Sequence, residues 1–140
     1  MRNIAENPLY DCIKEYKHWA VLFRQKQVTI GSVIIMSKQF DKQRLGDVST
    51  EAWAEFATVS HEVEQMLINA FGAEKFNYLA LMMYDPEVHF HVIPRYSRPI
   101  ECNGVRFVDA DWPDATKRIA LKLDADTLEA IKQKLIATIE

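Results

Sequence analysis

The chain is poor in cysteine. Its 140 residues hold two, Cys12 and Cys102, far apart in sequence. With no Cys-x-x-Cys pair, neither a zinc ribbon nor a thioredoxin-like site is indicated, and two free thiols in a reducing compartment is the plain reading. Glycine (4) and proline (5) are scarce and no low-complexity run occurs, which argues against a disordered chain. Positive charge is not in excess: 17 Lys and Arg against 20 Asp and Glu leave a net charge of -3. That argues against a protein held to nucleic acid by a general basic surface, and leaves room for a small phosphate-bearing ligand in a local pocket. No apolar run reaches the roughly 18 residues of a membrane span, and the N-terminus Met-Arg-Asn-Ile-Ala-Glu-Asn-Pro has no apolar signal core. The expectation is a soluble, cytoplasmic protein without membrane or nucleic-acid partners.

Hydrophobic residues make up 49% of the chain, enough for one continuous core, so residues 1–140 are expected to form one domain. Asn7-Pro8 reads as a helix start, and Leu9, Cys12 and Ile13 continue it to about Tyr16. Trp19, Val21 and Phe23 alternate with their neighbours as in a strand. After the connection Thr29-Ile30-Gly31-Ser32, the β-branched run Val33-Ile34-Ile35-Met36 forms a second strand. A polar loop leads to Ser49 or Thr50, either of which can cap a long helix whose apolar face carries Trp53, Phe56, Ser60, Val63, Leu67 and Ala70. Gly72 is its natural C-cap. Residues 76–84 are apolar on both faces and read as a buried central strand; Asp85-Pro86 turns the chain into an antiparallel strand over residues 87–93, which Pro94 ends or marks as an edge. Asn103-Gly104 is a turn before a short strand at residues 105–108. Asp126 with Glu129 starts a last helix that buries Leu128, Ile131, Leu135 and Ile139. The fold class is α+β: an antiparallel sheet of about five strands, a short N-terminal helix, one long helix and a C-terminal helix.

The strand over residues 87–93 carries the chemistry. Side chains alternate between faces, so Val88, Phe90 and Val92 point to the core while Glu87, His89, His91 and Ile93 point the other way. Two of the four histidines thus share a face with an acid. Three readings fit. The row can consist of satisfied polar side chains with no chemical role. It can be a metal site, since His-x-His with a carboxylate is a common ligand set, although no third strong ligand is evident: His18 and His61 lie in other elements. Or it can be a nucleophilic site, in which one neutral imidazole attacks phosphorus and a same-face neighbour protonates the leaving group.

The segment Val88-His89-Phe90-His91-Val92-Ile93-Pro94-Arg95 resembles the signature of the histidine-triad superfamily of nucleotide hydrolases and transferases, His-x-His-x-His followed by two apolar residues and commonly Pro-Arg. Residues 76–83 and the Asp85-Pro86 turn look like a bacterial branch, and the hairpin over residues 19–36 and the long helix match the family's element order. By this resemblance His89 falls on the nucleophile, His91 on the leaving-group histidine, and Glu87 on the first histidine. That last match is the departure. In the family the first position helps orient the nucleophile partly through its main-chain oxygen, a contact that survives a change of side chain. A carboxylate there would raise the imidazole's pKa and repel phosphate. Gly31 is followed by Ser32 where the family often has histidine. The resemblance implies a homodimer that cleaves purine nucleotide derivatives, of dinucleoside polyphosphate or phosphoramidate type, through a covalent nucleotidyl-histidine and without cofactor or metal. A nucleotide-binding module with weakened catalysis is the alternative. Arg95 can support phosphate or serve as a strand-end salt-bridge partner, and the second role fits its position better.

Overall fold

The computed structural model describes residues 9–140. In chain order it has strands β1 (Cys12–Glu15), β2 (Trp19–Phe23) and β3 (Val33–Ser37), a short 3-10 turn (Leu45–Asp47) and helix α1 (Thr50–Phe71). Strands β4 (Lys75–Leu79), β5 (His89–Arg95), β6 (Ile100–Cys102) and β7 (Val105–Phe107) follow, and helix α2 (Ala125–Ile139) is last. Five strands form one antiparallel sheet in the order β1-β2-β3-β5-β4, and β6-β7 form a separate hairpin. Asn103 and Gly104 both have positive φ, as a two-residue hairpin turn requires.

Helix α1 begins where the sequence places it. Ser49 accepts from the Ala52 amide at 3.2 Å, and Gly72 closes the helix in the left-handed region at φ 73°. The helix packs on one sheet face through Val59, Val63, Met66 and Leu67, all buried. Trp19 reaches up from β2 and its indole N–H donates to the Ala52 carbonyl at 2.7 Å. Around it gather Trp53, Phe56, Tyr78 and Phe90. Phe90 has its ring 5.0 Å from Phe56, 6.1 Å from Trp53 and 6.3 Å from both Trp19 and Tyr78. An aromatic cluster of this kind, with Trp19 fully buried and the other rings partly so, supplies several kcal/mol of burial, with edge contacts adding to it.

The chain connecting β2 to β3 is organised by Gln27, which is fully buried. Its amide donates to the carbonyls of Arg24 (2.6 Å) and Ser32 (2.8 Å), and its oxygen accepts from the Gly31 (2.7 Å) and Ser32 (3.2 Å) amides. Gly31 is needed in this turn: φ is 93°, and a Cβ would lie 2.8 Å from the Leu67 side chain.

Four expectations are corrected. The N-terminal helix is a strand over the residues described, the start at Asn7-Pro8 lying outside them. Asp11, at φ 62°, is incompatible with helix, and its carbonyl accepts from the Phe23 amide at 2.8 Å, which lays β1 along β2. The open edge of β2 outcompetes a weak local helix preference. Strand β4 ends at Leu79 and is the sheet's edge, not its centre; residues 80–84 leave the sheet, with Met82 at φ 47° and Tyr84 91% exposed. Strand β5 starts at His89 instead of Glu87 and runs through Pro94. Pro94 is tolerated because its carbonyl, and with it the missing donor, faces the side beyond the last β3 pair, where Thr29 Oγ1 donates to it at 2.5 Å. Helix α2 is capped by Asp124, whose carboxylate accepts from the Thr127 amide at 2.8 Å; Asp126 sits in its first turn. Its buried face is as read, with Ile131 and Leu135 fully buried and Leu128 and Ile139 partly so.

Removing the central aromatic tests this packing. Phe90→Ala is expected to cost about 3 kcal/mol in urea unfolding, with an unchanged denaturant slope, while Phe90→Leu costs less than half of that.

Candidate functional site

The face of the sheet opposite α1 is built in rows, fixed by strand register. Ala20, Met36 and His89 form one row; Leu22, Ile34, His91 and Leu79 form the next; Ile93 pairs with Asn77, and Arg95 with Lys75. Since Phe90 is held in the aromatic cluster, period two sends His89 and His91 out to this face. Their ring centroids are 5.2 Å apart and the rings are nearly perpendicular, at 77°. Ala20, Leu22, Ile34 and Met36, with Leu9 and Cys12, make an apolar floor beside them. Sequence reading missed this floor because β2 and β3 are apolar on both faces, which hides the alternation.

His89 is 4% exposed, and its Nδ1 lies 2.7 Å from the carbonyl oxygen of Glu87. A carbonyl can only accept, so Nδ1 carries a proton, and in the neutral ring the lone pair resides on Nε2. Of Glu87 it is therefore the main-chain oxygen that meets the imidazole. The Glu87 carboxylate is half in the protein, and its Oε1 is buried without a hydrogen-bond partner among the described residues. A buried acceptor left unmatched costs free energy, so this oxygen is an available acceptor at the site.

The structure brings His89, His91 and the Glu87 backbone together and keeps the other histidines apart. His61 is on the exposed side of α1, and His18 precedes β2, where its amide donates to Glu55 at 2.6 Å. Among the described residues no group of three or more His, Cys, Asp and Glu side chains is arranged to hold a metal ion. Cys12 and Cys102 are free thiols, and burial pushes both above the ordinary thiol pKa, away from reactive thiolate.

Arg95 is spent on structure. Its guanidinium donates to both carboxylate oxygens of Asp109 (2.7 and 3.0 Å), to Asn77 (2.9 Å) and to the Asp114 carbonyl (2.9 Å). Both side chains of the Arg95–Asp109 pair are almost fully buried. This fork pulls residues 109–114 over the end of β5 and β4. Between that segment and the sheet lies a cavity of about 710 Å³, lined by Asn77, Leu79, Ile93, Trp112 and Arg118 among others. The volume suits a nucleotide-sized ligand. Leu79 is the cross-strand partner of His91 and Ile93 is its next same-face neighbour, so the cavity opens one side-chain position from the histidines. The irregular segment that roofs it has no periodicity, and sequence reading had no signal for its place.

No family model and no curated protein matches the sequence. Solved structures do match. A histidine triad protein from Bradyrhizobium japonicum is similar with a TM-score of 0.72 and 19% identity, over 96% of each chain. One from Marinobacter aquaeolei is similar at 0.71 and 19%, over 92% of this chain and 90% of its own. A hypothetical histidine triad nucleotide-binding protein from Sulfolobus tokodaii gives 0.70 and 16%, over 97% of this chain and 88% of its own. With that likeness running over nearly the whole chain, and with His89 and His91 on the central strand, the protein has the histidine-triad fold.

Proposed function

We propose that the protein binds a purine nucleotide derivative and cleaves it at phosphorus, with His89 as nucleophile and His91 as acid and base. The observation that carries this reading is the bond from His89 Nδ1–H to the Glu87 carbonyl, which leaves the attacking lone pair on Nε2. In the first step Nε2 forms a bond to phosphorus. The bond from phosphorus to the leaving oxygen or nitrogen breaks, and His91 supplies the proton that the leaving group takes. In the second step His91 removes a proton from water, whose oxygen displaces Nε2, giving a nucleoside monophosphate and restoring His89. The dinucleoside polyphosphate and phosphoramidate substrate types both fit this scheme, and the cavity beside His91 offers room for base and ribose.

A second reading, a nucleotide-binding module with weakened turnover, rests on Glu87. Its buried, unmatched carboxylate oxygen puts an acceptor where phosphate charge must come. The two readings separate on Glu87→His and Glu87→Gln. A large gain in rate marks a protein that has drifted from catalysis; a small one marks a site adapted to the acid.

A homodimer belongs to the same proposal. Among the described residues no strand pairs with the outer edge of β4, as a strand-to-strand interface requires. Light scattering at micromolar concentration is expected to give twice the chain mass, and a monomer there counts against it.

For the chemistry, His89→Ala is expected to lower kcat by roughly a thousandfold or more while nucleotide affinity changes little, because the covalent step is lost and the pocket is not. His91→Ala is expected to slow turnover by about a hundredfold, least for substrates with good leaving groups. Quenching during turnover is expected to reveal one nucleoside monophosphate on His89. Native turnover in His89→Ala contradicts the assignment.

A further inference from the structure

Six arginines lie among the described residues. Four have a carboxylate: Arg44 with Asp47, Arg95 with Asp109, Arg98 with Glu74 and Arg106 with Glu101. Arg24 and Arg118 have none among the described residues, and they lie near enough for the charge of one to act on the other. Arg24 follows Ala20 and Leu22 in the alternation of β2, on the same sheet face as the histidines, and its amide still donates to the Ser32 carbonyl at 3.4 Å. Its Nη1 is buried and has no hydrogen-bond partner among the described residues. Arg118 comes from the other side, out of the segment that roofs the cavity, and lines that cavity. Two bonds place it: its amide donates to Thr116 Oγ1 at 2.9 Å, and the Leu121 amide donates to the Gln27 carbonyl at 2.7 Å, tying the segment to the turn after Arg24.

An unpaired, partly buried guanidinium near a second one is costly unless an anion joins them. The repulsion registers on Arg24, whose pKa is lowered by burial first and by Arg118 second. On that segment Asp109 is already taken by Arg95, and Asp111 accepts from the Lys117 amide at 2.9 Å. What the pair lacks is therefore a ligand with several acceptor oxygens, and guanidinium forks match phosphate in shape and charge.

We propose that Arg24 and Arg118 form a second anion site on the histidine face of the sheet, which takes a second phosphoryl group of the nucleotide substrate. This rests on the nucleotide reading above. The position agrees with it: Arg24 lies one row beyond the Leu22–Ile34–His91 row and two beyond that of His89, about 7 Å and about 14 Å along the strands. A nucleotide whose reacting phosphate sits at His89 meets Arg24 through the combined reach of the ligand and the long arginine side chain. The second phosphoryl group is either on the ribose or further along the phosphate chain.

Isothermal titration with adenosine 5′-monophosphate, adenosine 5′-diphosphate and adenosine 3′,5′-bisphosphate tests it. At least one doubly phosphorylated ligand is expected to bind about tenfold or more tightly than the monophosphate, and which one does so locates the phosphate on chain or ribose. Arg118→Gln, at an exposed position, is expected to remove that advantage, bringing the ratio of doubly phosphorylated to monophosphate affinity close to one; because Arg118 also lines the cavity, that ratio is the readout. Arg24→Gln is expected to do the same, and Arg118→Gln decides the matter if that variant fails to fold. Equal affinity for all three ligands, or an advantage that persists in Arg118→Gln, overturns the second site while the nucleotide reading stands. Failure of all three to bind overturns both.

Discussion

The placement of Phe90 among Trp19, Trp53, Phe56 and Tyr78 is the interaction on which the site depends. A strand between two neighbours can slip by one residue, and such a slip would exchange its faces. Here the exchange would bury two imidazoles under α1 and expose Phe90 and Val92. The aromatic cluster makes it prohibitively costly, so the register of β5 against β3 and β4 is held by the core, not by the histidines. The chemistry proposed for the two histidines is a passenger on that register.

Two buried polar arrangements then shape the outer face. The Glu87 carbonyl selects one tautomer of His89 without contributing charge, which is why a position that holds glutamate can still orient the ring. The Arg95–Asp109 pair does the opposite work with charge: it is buried, fully bonded and structural, and it folds an irregular segment over the sheet edge to roof the cavity. A charge pair in that setting adds little net stability but costs heavily if half is removed, so it specifies the path of the chain. The roof brings Trp112 and Arg118 to the cavity that borders His91.

Much of this was legible in the sequence, for physical reasons that differ by element. The long helix and its caps were readable because Ser49 and Gly72 satisfy end groups locally. The outward pair His89 and His91 followed from period two alone. Residues 9–16 were misread because a short apolar spacing fits a helix turn and a strand equally, and only the edge of β2 decides. Residues 80–84 were misread because apolar character does not reveal that the chain has left the sheet. Arg24 and the roof were invisible because what they meet is far away in sequence; Gln27 was invisible because its bonds to Arg24, Gly31 and Ser32 build an irregular turn that has no periodic pattern. The outcome for Arg95 was readable from its place at the strand end, though its partner Asp109 was not.

The central claim is that His89 is held in the tautomer with Nδ1 protonated and the lone pair on Nε2. Nitrogen-15 NMR of the imidazoles, assigned by comparison with His89→Ala, reads this directly at a pH above the histidine's titration. The expected result is a protonated-type signal from Nδ1 and a lone-pair-type signal from Nε2 of the same ring. The reverse pattern, or a ring averaging between both tautomers, would contradict the orientation on which attack by His89 depends.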